Sequence, residues 1–200
     1  MVKRAIALEP LPVSCTPTDC ENGLHCFLQK RRGVDGRRAG GPCRACGANL
    51  VEWDRLAARD VRDAPYTFAA LRNEKIRHEF WHRPFDLRAV NHALRKGRQK
   101  LQDAAFHRIA TSVGQPSNPR EGRQTPFSGN VLYYAQHAVA ACCRKCIEYW
   151  HGIDAEHPLT DEEVAYLTEL LMLYVDERMP DLPDEPQRVP PLTVRRGASR

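Results

Sequence analysis

The chain has 200 residues, 42% of them hydrophobic and 28% charged, with a formal net charge of +5. That length suits one ordinary domain, or one with a small appendage, and the apolar share suits a folded core rather than a disordered chain. No apolar run approaches the roughly 20 residues of a membrane span, and the stretch Ala5 to Leu8 is shorter than the apolar part of a secretory signal, about 7–15 residues. The expectation is a cytoplasmic protein with no membrane partner. Thiols stay reduced there, so the eight cysteines point to metal binding or thiol chemistry before disulfides.

Residues 1–19, rich in Pro and Thr and without periodicity, read as an extended lead-in. Residues 20–60 hold CENGLHCF, then KRRGVDGRRAGG, then PCRACGANLVEW: two cysteine groups joined by a basic loop, as in a small zinc module. The Cys-x-x-Cys-Gly of Cys43 to Gly47 is a zinc knuckle, a turn that aims two sulfurs at one point, and Gly47 permits its left-handed residue. A closed zinc site takes four ligands. Cys20, Cys26, Cys43 and Cys46 are the first choice, with Cys15 or His25 as substitutes. PCRAC also matches half of the zinc deaminase signature, but the His-x-Glu that would move protons is missing upstream.

Residues 61–179 read as a helical domain. Phe68, Leu71, Ile76 and Phe80 predict one helix over Tyr66 to Phe80, which Pro84 ends. Asp86 is a candidate N-cap for a second helix, Leu87 to Ser112, with Val90, Leu94, Leu101 and Ile109 facing inward. A long loop, VGQPSNPREGRQTPFSGN, precedes a third helix over Val131 to Tyr149. Thr160 and Glu163 form a capping box for a last helix, striped by Val164, Leu167, Leu171, Tyr174 and Val175. Residues 180–200, with five prolines, read as a disordered tail. The fold class is mainly α: a small helical domain with an N-terminal zinc-binding knuckle.

The third helix carries the densest chemistry, YYAQHAVAACCRKCIEYWHG. On a helix, Cys142 or Cys143 shares a face with Cys146, and His137 lies one or two turns earlier. These residues make a second metal set, so zinc is expected at one or two ions per chain. Two other readings compete: a redox pair with Arg144 and Lys145 favouring the thiolate, and inert thiols packed in a core. A further variant shares one zinc among Cys43, Cys46, Cys143 and Cys146.

The run GRQTPFSGNVLYYAQHAVAACCRKCIEYWHGI, followed by LTDEEVAYLTELLM, resembles a bacterial family, domain of unknown function 4186. Its pattern is similar to Gln124 to Pro126, Gln136 to Ala138, Cys142 to Cys146 and Trp150 to Ile153, and reaches back to about Lys75, including His82. The cysteine-rich N-terminal module looks like an extension found in only some members. The resemblance brings no activity with it.

Charge is unevenly placed. Arg72 to Arg108 holds ten Lys or Arg against Glu74, Glu79, Asp86 and Asp103, whereas Asp154 to Glu185 holds eleven acids against Arg178. A basic face for nucleic acid would draw on Lys75, Arg77, Arg95, Lys96, Arg98, Lys100, Arg120 and Arg123. The bland reading is two helix surfaces that complement each other, and the acidic last helix also suits a protein partner. The favoured function is a zinc-stabilised nucleic-acid-binding protein, in DNA repair, defence or transcription. One alternative is a metal-dependent enzyme on nucleic acid, with an open zinc position near Cys143, Cys146 and His137 and with His82 or His151 as base. The other is a thiol-based redox sensor. Whether the chain is an enzyme is left open.

Overall fold

The computed structural model describes residues 17–29, 40–116 and 125–189. In chain order it places β1 (Phe27–Gln29), β2 (Gly40–Cys43), α1 (Trp53–Ala57), α2 (Ala64–Arg72), α3 (Lys75–His82), α4 (Leu87–Ser112), α5 (Val131–Ala138), α6 (Arg144–His151) and α7 (Asp161–Arg178). The fold is mainly α. The two strands pair antiparallel, with Phe27 opposite Cys43 and Gln29 opposite Gly40.

Helix α5 is the centre. Seven of its eight residues are buried, all but Tyr133, and burial on every side marks a helix inside a bundle. Helices α3, α4 and α7 pack around it, while α6 packs against α1. The knuckle shares this core: Phe27, 1% exposed, meets the rings of Trp53 and Trp150 edge-on.

Local signals set several helix ends as expected. Asp86 caps α4 by accepting from the Arg88 and Ala89 amides. Arg83 turns extended before Pro84 and closes α3. The Thr160–Glu163 capping box opens α7, and its five predicted stripe residues are all buried. On α4, Leu101 and Ile109 are buried, but Val90 and Leu94 are half-buried, and Ala89, Ala93 and Ala105 take core positions.

Three expected helices are interrupted. Tyr66 to Phe80 is two helices, because the backbone of His25 enters at the break: the His25 amide donates to Asn73 carbonyl (2.7 Å), and the Lys75 amide donates to His25 carbonyl (2.9 Å). Within α4, Gly97 has φ 67 and ψ 167, a conformation reserved almost wholly to glycine. The amides of Arg98 and Gln99 turn away from the helix to the carbonyls of Pro183 and Asp184 (2.9 and 3.4 Å), and the Gln187 amide donates to Leu94 carbonyl (2.7 Å). A disordered tail from residue 180 is therefore corrected for residues 183–187, which are docked on α4. The third interruption divides Val131 to Tyr149 into α5 and α6. Ala140 adopts φ 57, and the Ala141 amide reaches back to Gln136 carbonyl (2.8 Å), closing α5 in a left-handed cap.

Candidate metal centres

The knuckle builds the first centre. The Gly47 amide closes the turn onto Cys43 carbonyl (2.9 Å), and Gly47 has φ 77. Cys43 ends β2, Cys20 begins a short 3-10 turn, and His25 stands where the chain crosses the α2–α3 break. Cys20, His25, Cys43 and Cys46 bring one ligand atom each to within 4.8 Å of one another. Cys20 Sγ lies 3.8 Å from Cys43 Sγ, and Cys46 Sγ lies 3.5 Å from His25 Nδ1. Zinc bonds of about 2.3 Å to sulfur and about 2.05 Å to nitrogen, set tetrahedrally, give about 3.8 Å between sulfurs and about 3.6 Å from sulfur to nitrogen. The residues fit zinc in both chemistry and spacing. Burial would raise the Cys43 thiol, but the backbone amides of Cys46, Cys26 and Ala45, together with His25, pull it down to about 5.

This quartet corrects the expected one: His25, the substitute, stands where Cys26 was the first choice. Neighbouring residues of extended chain point to opposite sides. Cys26 is buried, is not among the four gathered ligand atoms, and offers a backbone hydrogen bond to Cys43. Cys15 lies outside the described residues.

The second centre forms where α5 breaks. Ala140 turns the chain, Cys143 is the extended N-cap of α6, and Cys146 lies in its first turn. The three sulfurs of Cys142, Cys143 and Cys146 lie within 4.8 Å of one another and are buried. Because the two clusters are separate, one zinc shared by Cys43, Cys46, Cys143 and Cys146 is not what the fold assembles. Arg77, 1% exposed, enters from α3. Its Nη2 lies 3.1 Å from Cys146 Sγ, its Nη1 3.7 Å from Cys142 Sγ, and Nη1 also donates to His137 carbonyl at 2.7 Å. Glu74 holds the guanidinium in place (2.9 Å) and accepts from the Trp150 indole at 2.9 Å.

The three thiols divide their protons unequally. Hydrogen bonds from Cys142 and Cys143, opposed by burial and aided by Arg77, hold Cys146 well below the usual thiol range. Cys142 is raised well above it by its hydrogen bonds with Cys143 and Cys146 and then by burial. For Cys143, a lowering hydrogen bond from Cys142 is outweighed by Cys146 and burial, and the thiol rises to about 12. Burial likewise raises Glu74, against the pull of Arg77.

The histidines assigned to this block do other work. His137 stands outside the thiol cluster, its ring stacked between Phe80 and Phe127 at 4.4 and 4.8 Å. Its Nε2 faces Thr125 and Pro126 carbonyls at 3.2 Å. His151, fully buried, pairs Nε2 with Val139 carbonyl (2.9 Å) and Nδ1 with the Tyr166 hydroxyl (3.2 Å). Burial pushes both rings down to about 4. His82 is on the surface, its ring tilted against that of His78 with centroids 4.0 Å apart. The fold does not bring His82, His137 or His151 into the ligand cluster of the thiols.

Of the expected phosphate binders, Arg77 is corrected outright, since it is buried and spent on Glu74 and sulfur. Arg98 forks onto Asp176 (2.8 and 2.7 Å) and Lys75 is half-buried. Arg95 and Lys100 are exposed, and Lys96 is half-buried on the same helix. Arg120 and Arg123 lie outside the described residues. The Arg98–Asp176 pair and a second, between Arg72 and Glu177, join the basic segment to the acidic last helix, as the complementary-surface reading expected.

Sequence reasoning missed Glu74, Arg77 and Thr125 as partners of the thiols. Thr125 Oγ1 donates to Cys142 carbonyl at 3.0 Å. The i, i+3 spacing of Glu74 and Arg77 between apolar neighbours was the available signal.

Residues 65–176 match the model of a family described as Domain of unknown function (DUF4186). The matched segment contains the three-thiol cluster, Arg77 and Glu74, and leaves the knuckle outside it. No solved structure matches the chain. No described helix is long and apolar enough to cross a membrane.

Proposed function

We propose, from the premise that the chain belongs to the DUF4186 family, that it is a zinc-stabilised protein that binds nucleic acid along α4. Zinc sits at Cys20, His25, Cys43 and Cys46, where the sulfur and nitrogen spacings match a tetrahedral ion. Such an ion fixes the knuckle and so contributes directly to folding free energy.

The observation that carries the nucleic-acid reading is the surface of α4. Arg88, Arg95 and Lys100 are exposed there, and the helix carries six Lys or Arg against the single acid Asp103. Phe106, 43% exposed, adds an exposed aromatic ring on the same helix. Basic side chains neutralise phosphates with release of counterions, and an exposed ring stacks an unpaired base. The acids of α7 that face Arg98 and Arg72 are already paired, which leaves less of that helix for a protein partner.

The test is fluorescence anisotropy with single- and double-stranded DNA and RNA across a salt series. Affinity is expected to fall steeply with salt. Arg95→Ala with Lys100→Ala should flatten the log–log slope by about 2, roughly one per phosphate contact. Negligible binding at low salt to all four probes sinks the reading.

A further inference from the structure

We propose that Cys142, Cys143 and Cys146 form a second metal centre, one that takes a soft, thiophilic cation on three thiolates, with Arg77 as its charge-balancing partner. The argument begins with the break at Ala140. An unbroken helix would display the cysteines along one side, whereas the break and the extended Cys143 gather all three sulfurs within 4.8 Å. Three sulfurs bonded at about 2.3 Å around one ion in a trigonal plane are about 4 Å apart. The cluster fits that dimension.

Three buried thiolates without a counter-charge would be prohibitively costly. The centre supplies one positive charge of its own, the Arg77 guanidinium, which points N–H groups at the sulfurs of Cys146 and Cys142. Hydrogen bonds from outside the ligand set orient thiolates and tune their charge. Arg77 is in turn fixed by Glu74, and Glu74 by Trp150, so the guanidinium has no freedom to leave. Binding releases the remaining thiol protons to water, and no electron changes hands. Thiolate softness selects ions such as zinc, cadmium or copper(I) over magnesium or calcium.

Because His137 stands outside the cluster, the three thiols are the whole protein ligand set among the described residues. That separates this centre from the knuckle, whose fourth ligand is His25. The two should therefore be distinguishable by their donor atoms.

Cadmium is the probe: full-length protein, stripped of metal under reducing conditions, is titrated with cadmium and followed by native mass spectrometry and cadmium-113 NMR. Two ions per chain and two resonances are expected, one of three-sulfur and one nitrogen type and one of all-sulfur type. Cys146→Ser should remove only the all-sulfur signal. Arg77→Met should weaken that site about 10–100-fold, as loss of an outer partner does, while the knuckle signal stays and Arg77→Lys retains part of the affinity. If Cys146→Ser does not fold, the wild-type count still decides. One ion per chain with Cys142, Cys143 and Cys146 open to thiol labelling in denaturant overturns the proposal. Loss of the knuckle signal alone would count instead against the zinc assignment made there.

Discussion

At the scale of single residues, His137 and His151 show how burial fixes protonation. Each ring is neutral in the fold: Nδ1 of His137 has no partner, so a proton there would be buried unpaired, and both nitrogens of His151 are taken. With pKa values near 4 against an ordinary 6.5, the neutral rings stabilise the fold above pH 6.5. That stability is lost as pH falls from 6.5 through 4, because the unfolded chain takes up protons first. Between pH 7 and 4.5, urea titrations of His151→Gln should show about 2 kcal/mol less loss than the wild type, since one of the two rings no longer titrates. Loss of any bound metal in acid would be common to both chains and cancel. Equal losses would show that His151 opens to water before it protonates. Arg77 teaches the complementary lesson. A charge count enters it among phosphate binders, yet its side chain is buried, because composition cannot tell a solvated arginine from one buried among sulfurs.

Among the elements, helix ends were readable where a side chain or a proline acts locally, as Asp86, Pro84 and Thr160 do. The breaks were not. Those at Asn73–Glu74 and at Gly97 exist because backbone from distant parts of the chain replaces the helical hydrogen bonds, and no window of sequence contains both partners. The break at Ala140 was hidden for another reason: alanine is the strongest helix former, yet here it is left-handed between buried neighbours, with the Ala141 amide capping the Gln136 carbonyl. The cysteine clusters themselves were legible from spacing, but the geometry of the second depends on that unreadable turn. Gly97 is the element most open to test. A Cβ there would strike the carbonyl of Asp184 and the backbone of Glu185, in a conformation only glycine adopts easily. Gly97→Ala is expected to destabilise by about 3 kcal/mol, measured by urea denaturation. A change under about 1 kcal/mol would show that residues 183–187 yield to the side chain at little expense.

Across the whole molecule, the two centres are joined through four residues, Asn73, Glu74, Lys75 and Arg77. His25 belongs to the knuckle's candidate ligand set and pairs by backbone with Asn73 and Lys75; Glu74, between them, holds Arg77; and Arg77 meets Cys146. On the zinc assignment proposed for the knuckle, removing the ion would release the His25 ring and loosen that bracket. Hydrogen exchange of the metal-free protein, or of Cys43→Ser, should quicken at the His25 and Lys75 amides, and Cys146 should label faster with a thiol reagent. Unchanged exchange at both amides would mean that the bracket stands without metal. Such coupling runs through packed, hydrogen-bonded groups rather than through distance alone.

The clamp on α4 also sets an order of events during synthesis. Arg98 and Gln99 have no helical partners for their amides, and the carbonyls that receive them belong to residues 85 positions later in the chain. At roughly 5–20 residues per second, a ribosome needs about 4–17 s to make that interval. Until then those acceptors do not exist, and α7, which packs on α4, ends at Arg178, only shortly before them. The native form of the break at Gly97 can therefore close only after α7 has been made.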